Sequence, residues 1–284
     1  MQASKPLRSF GLAPNGLPSG VRVSAIKRNN VHVGGYGDRA MIFAHGFGCD
    51  QNMWRHVAPA FETDFKTVLF DSVGAGGSDL SAYDPKKYAT LDGYADDVIE
   101  ILRELDLKGV VFVGHSVSAM VGVLASLKAP ELFLKLVLVG PSPRYINDDD
   151  YVGGFGAAQI EELLEFLDDN PMAWSQAMAP AIIGNPDRPE LGEELTASFC
   201  RMDPAIAKEV ARATFMSDNR ADLPKVATPT LILQCSDDII APLEVGHYVH
   251  SRIAGSNLRI LAATGHCPNL SAPAEVTAAI RAYV

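Results

Sequence analysis

Ser116, Asp238 and His266 are the side chains in this sequence that could together perform nucleophilic acyl chemistry. A serine hydroxyl is a weak nucleophile at its own pKa, so it needs a base within hydrogen-bond reach, and the base needs a carboxylate to orient it. Gly114-His115-Ser116-Val117-Ser118 follows the apolar run Val110-Val111-Phe112-Val113 and precedes the helix-like stretch Ala119-Met120-Val121-Gly122-Val123-Leu124-Ala125. A sharp strand-to-helix turn lifts such a serine above the sheet edge and points the first N–H groups of the helix at a neighbouring oxyanion. The pattern wants a small residue on either side; Gly114 obeys, and Ser118 stands where glycine is usual. Asp237-Asp238 follows the strand-like residues 230–234, and His266 lies in a Gly-His-Cys-Pro loop, so the chain order is Ser, Asp, His. Spacing alone does not separate Asp238 from Asp237 as the orienting carboxylate, because paired acids after a strand also serve turns.

An oxyanion site needs two donors. The N–H of Val117, directly after the nucleophile, is one; the other is expected from Phe47 in His45-Gly46-Phe47-Gly48, whose glycines allow close backbone approach. His45 and His115 sit beside working residues and read as structural. His32 and His56 carry no signal. Gly74-Ala75-Gly76-Gly77-Ser78 looks like part of a nucleotide-binding turn, yet Asp79-Leu80-Ser81 follows where a helix must start. His247 and His250 are three apart, with no HExxH pattern and no third ligand nearby, so neither a metal nor a cofactor is expected. Dehalogenase and epoxide-hydrolase chemistry would need an acid at position 116.

The elements that must position these residues alternate along the chain. Residues 41–44, 67–70, 110–113, 135–139, 230–233 and 258–261 are short apolar runs bounded by turn residues, as buried parallel strands require. Residues 21–26 and 30–33 alternate and are expected to pair antiparallel. A helix starting near Thr90 or Asp92 carries Tyr94, Val98, Ile101, Leu102 and Leu105 on one face, with Asp96, Asp97, Glu100 and Arg103 off it. The alternation stops after Pro143. Helical patterns follow over residues 157–167, 171–178, 190–200 and 204–215, which predicts a helical insertion closing over the carboxyl edge of the sheet. Trp174, Phe155, Phe166, Met172 and Met178 within it suit either the insertion's own core or the wall of an apolar pocket.

The chain is therefore expected to be an α/β protein: a mobile leader at 1–20, a core at 21–141 and 224–284, and a lid at 142–223. The formal charge of −10 has one source: residues 142–223 hold 16 acids against 6 bases, which leaves 18 of each elsewhere. So acidic a segment disfavours nucleic acid and anionic membranes as partners. No apolar run is long enough to span a bilayer, and the first 20 residues lack the apolar core of a secretory signal, which points to the cytoplasm. Four scattered cysteines indicate neither a disulfide framework nor a zinc knuckle.

A resemblance narrows this reading. His45-Gly46-Phe47-Gly48-Cys49-Asp50-Gln51, Tyr88-x-Thr90-Leu91-Asp92-Gly93-Tyr94, the Ser116 turn through Met120, Ser142-Pro143-Arg144-Tyr145 with Gly153-Gly154-Phe155, and Asp238-x-x-x-Pro242 resemble the α/β-hydrolases of the bacterial RsbQ type, a group that includes the plant strigolactone and karrikin receptors. The resemblance implies an α/β-hydrolase core, a four-helix V-shaped lid, and a triad of Ser116, Asp238 and His266, which favours Asp238 over its neighbour. It also implies a pocket lined by Phe47, Tyr145, Phe155, Trp174 and Phe215, with Met178 where the plant receptors carry an aromatic residue. Two functions follow as expectations: hydrolysis of a small apolar ester or butenolide-like lactone, or ligand sensing with slow turnover, its lid movement read by a partner such as a phosphatase.

Overall fold

The computed structural model describes residues 23–284, so the expected leader lies outside the described residues. Seven strands build one sheet: β1 (His32–Gly34), β2 (Arg39–Ala44), β3 (Phe65–Leu69), β4 (Val110–His115), β5 (Phe133–Val139), β6 (Thr230–Asp237) and β7 (Asn257–Thr264). Their spatial order is β1-β3-β2-β4-β5-β6-β7, with β1 antiparallel to β3 and every other pair parallel. All six residues of β4 are buried, as a central strand covered on both faces must be.

The helices are α1 (Ala25–Arg28), α2 (Leu91–Glu104), α3 (Val117–Lys128), α4 (Ala157–Asp169), α5 (Pro171–Ile183), α6 (Pro189–Cys200), α7 (Pro204–Phe215), α8 (Leu243–Arg252), α9 (Pro268–Ser271) and α10 (Pro273–Tyr283). Helices α4 to α7 form a block inserted between β5 and β6, where the loss of period-two patterning predicts helix. Proline opens α5, α6 and α7, a position that needs no N–H donor. Asn170 and Asp203 cap α5 and α7 by accepting from Ala173 N and Ala205 N.

Two expectations fail at the start of the chain. Within the described part of residues 21–26 there is no strand: Ser24 accepts from Lys27 N, Glu104 takes the Ala25 N–H, and the segment coils into α1. The antiparallel partner of β1 is β3, from His32 opposite Leu69 to Gly34 opposite Thr67. Asp97 is also not on an outward face. It is 1% exposed and accepts from Tyr88 Oη at 2.8 Å, from Arg28 at 2.7 Å, from Asn29 and from Lys87. A buried carboxylate survives when donors surround it, and these donors arrive from α1 and from the loop before α2.

Candidate active site

The three residues of interest sit just past the carboxyl ends of three strands: Ser116 after β4, Asp238 after β6, His266 two residues after β7. That is the edge where open α/β sheets place ligands. Ser116 has φ 57° and ψ −125°, a left-handed conformation that costs a non-glycine residue about 1–3 kcal/mol. The surroundings hold it there. Its N–H donates to Val139 O at 2.8 Å, and the turn closes because Gly114 has no side chain: a Cβ there would lie 2.5 Å from Ser118 O. The serine that replaces the usual glycine at 118 is buried, and its hydroxyl donates to the His45 carbonyl, fastening the new helix to the loop after β2. Gly46 in that loop lies against the elbow, since a Cβ on it would be 2.6 Å from His115 Nδ1 and 3.3 Å from Ser116 Cβ.

His266 Nε2 lies 2.7 Å from Ser116 Oγ, and His266 Nδ1 lies 2.7 Å from Asp238 Oδ2. Because the carboxylate can only accept, Nδ1 carries the ring proton and Nε2 is free to accept from the serine hydroxyl. The other carboxylate oxygen of Asp238 accepts from Ile240 N at 2.8 Å and Ala241 N at 3.1 Å. Asp237 differs in every respect. It is exposed, and it touches this arrangement only through its carbonyl, which accepts from Gly265 N at 2.7 Å. Burial of Ser116, Asp238 and His266 to 4–6% exposure removes most water from around the three groups, which strengthens their mutual electrostatics.

The neighbouring histidines have other tasks. His45 Nε2 accepts from Ser72 N at 2.9 Å. His115 donates from Nε2 to the His266 carbonyl at 2.7 Å, and burial pushes its pKa down to about 3, so its ring is neutral. The glycine turn at 74–77 wraps a carboxylate of its own: Asp71 accepts from Gly77 N, Gln51 N and Asn30 Nδ2 at 2.7–2.9 Å.

Above Ser116 lies a cavity of about 30 Å³, walled by Phe47, Tyr145, Trp174, Phe199 and Phe215. Phe47 is the hub, with ring centroids 6.1 Å from Trp174, 6.0 Å from Phe199 and 5.8 Å from Phe215. The same Phe47, Trp174 and Phe199 also face a second cavity of about 310 Å³ lined by residues from the end of α4, α5, the end of α6 and the start of α7. Buried polar atoms interrupt this apolar wall: Tyr145 Oη, Trp174 Nε1 and Thr214 Oγ1 have no hydrogen-bond partner among the described residues. Burial raises the Tyr145 phenol pKa.

Of the expected wall residues, Phe155 and Met178 do not line this cavity; both are half-buried and pack on the core beside it. Phe155 is tied down by its backbone, donating to Tyr145 O and accepting from Asn147 N. Phe166 and Met172 turn outward, at 39% and 63% exposure. Phe199 was not singled out from the sequence; its signal was the i, i+4 pair Leu195 and Phe199 on the buried face of α6.

Residues 41–280 match the model of the alpha/beta hydrolase family. Karrikin insensitive 2 receptor CA from Petunia hybrida is 42% identical, covering 86% of this chain and 91% of its own length. Strigolactone esterase D14 from Arabidopsis thaliana is 41% identical, covering 89% and 94%. Among solved structures, a hydrolase from Oleispira antarctica superposes with a TM-score of 0.89 at 42% identity, covering 91% of this chain and 95% of that one. With its family match running through most of the sheet and relatives similar nearly end to end, the chain belongs to the alpha/beta hydrolase family.

Proposed function

We propose that this protein is a serine hydrolase that cleaves a small, largely apolar carboxylic ester or butenolide-like lactone. The observation that carries the reading is the buried relay Ser116–His266–Asp238, with both of its hydrogen bonds at 2.7 Å. In the first half-reaction, Ser116 Oγ attacks the ester carbon as its proton passes to His266 Nε2. Asp238 holds the resulting imidazolium, and the N–H groups of Phe47 and Val117 hold the oxyanion. The C–O bond to the leaving alcohol then breaks, and that oxygen takes the proton back from His266. Water repeats the sequence on the acyl-serine and releases the acid. In a lactone the alcohol stays tethered to the acyl group.

The aromatic wall suits an apolar substrate, and its unpartnered Tyr145, Trp174 and Thr214 atoms suit one with further oxygen acceptors beside the scissile carbonyl. Helices α4 to α7 act as the lid, since about 30 Å³ over Ser116 admits such a molecule only if the ring cluster moves. A signalling role is the second reading, in which slow turnover drives a lid change read by a partner protein such as a phosphatase. Its support is the similarity to a chain named as a karrikin receptor.

Intact-protein mass spectrometry after exposure to a serine-reactive acylating agent, and separately to a butenolide probe, tests both readings. The expected result is a single adduct that disappears in Ser116→Ala. An adduct that persists in that variant sinks the mechanism. Rapid multiple turnover of simple esters would favour the general hydrolase over the sensor.

A further inference from the structure

The turn joining α5 to α6 is fastened to the loop that carries His266. The His266 N–H donates to Ile182 O at 2.8 Å, so a carbonyl in the last turn of α5, otherwise without a helical partner, is satisfied by the base's own backbone. Asn185 Nδ2 donates to Ile183 O and, at 3.0 Å, to Thr264 O. Arg188 reaches from the start of α6 to Asn185 Oδ1 and, at 2.8 Å, to Ser271 O. These bonds take hold of residues 264–271 on both sides of the imidazole. Two left-handed glycines let the segments meet: Gly184 has φ 62°, and Gly265, with φ 88°, has no room for a side chain because a Cβ would lie 1.8 Å from Ile183 O. From the core side, Gly265 N donates to Asp237 O, His115 Nε2 to the His266 carbonyl, and Asn269 Nδ2 to Met53 O. The base is thus held between the sheet and the lid.

We propose that Asn185 and Arg188 are positioning residues for His266, so that the imidazole keeps its line between Ser116 and Asp238 only while this lid turn is seated. The inference rests on the hydrolase reading above and adds a control to it. Anything that lifts the α5–α6 turn, a ligand or a bound partner, would disengage the base without touching the triad.

The test uses Asn185→Ala, Arg188→Ala and Arg188→Lys in the full chain, with 4-nitrophenyl acetate as substrate. In the two alanine variants kcat should fall between about tenfold and 10²-fold while KM and the melting temperature hold, as expected when a reacting group is misplaced by something under 1 Å. Arg188→Lys keeps a donor for Ser271 O and should recover part of the loss. The downfield proton resonance of the His266–Asp238 hydrogen bond should shift or broaden in the alanine variants, and this signal judges His266 placement independently of turnover. Unchanged kcat overturns the proposal. So does a loss that merely follows a fall in folded fraction with the His266 resonance intact, or a rise in KM with kcat held. Should Ser116→Ala retain activity in the same assay, the hydrolase reading fails, and the resonance still decides whether the turn positions the ring.

Discussion

The sheet edge and the helical insertion meet at one cavity, yet they are built in opposite ways. Around Ser116 the structure is over-determined: a strained backbone, a glycine that admits no side chain, and buried polar groups that mostly have partners. The insertion is acidic, shows Met172 and Phe166 to solvent, and meets the core near the site through the Phe47 ring cluster and polar clips, among them Arg55–Glu194 and Arg201–Asp50. The contrast separates tasks. Chemistry needs atoms held to fractions of an ångström by a packed sheet, whereas admission and recognition of a ligand need an element that can move.

The largest effects should come from the sheet edge. Ser116→Ala is expected to lower the ester hydrolysis rate by about 10⁶, and Asp238→Asn by about 10⁴, measured as kcat/KM with an aryl ester. Asp237→Asn should stay near the parent value because that side chain faces solvent; equal losses from the two aspartate variants would contradict the assignment.

Next comes the wall supplied by the insertion. Phe199→Ala should cost about 3–5 kcal/mol in urea unfolding, in keeping with truncation of a buried ring, and should shift preference toward bulkier acyl groups. Retained stability with unchanged specificity would mean that the ring does not shape the cavity.

A pH effect of intermediate size follows from His115. Folded, it stays neutral down to about pH 3, while its ordinary value is 6.5, so between these limits the unfolded chain binds the extra proton. Stability should therefore be whole above about pH 6.5 and fall as the pH drops, by up to about 1.4 kcal/mol per unit for this one group. The slope of unfolding free energy against pH should be shallower in His115→Asn, and an unchanged slope would remove His115 as its source.

The smallest effect belongs to a clip. Arg55 and Glu194 make two contacts of 2.7 Å, but both side chains are more than a third exposed, so Arg55→Ala should cost under about 1 kcal/mol and become harder to detect as salt is raised. A larger loss would show the insertion to be as rigidly joined as the sheet edge is to itself.

Much of this organisation could be read along the chain. The elbow, the Ser–Asp–His order, the seven strands (β1 with a different partner from the one expected) and all four inserted helices announce themselves because each depends on local periodicity, proline and glycine placement, or a turn of fixed form. The rest depended on partners distant in sequence. Residues 21–26 alternate like a strand, yet their described part coils because Glu104, some 80 positions away, takes the Ala25 N–H. Asp97 reads as a solvated acid until Arg28 and Tyr88 fold against it.

By itself, then, the sequence determined which residues could react and which elements would carry them, since backbone preference and side-chain period act over a few neighbours. Only the tertiary structure decided which of two adjacent aspartates meets the imidazole, which rings close the cavity, and that the α5–α6 turn bonds to the loop carrying His266. Those are questions of distance between segments more than a hundred residues apart in some cases, and periodicity tells which face of an element is buried without telling what it is buried against.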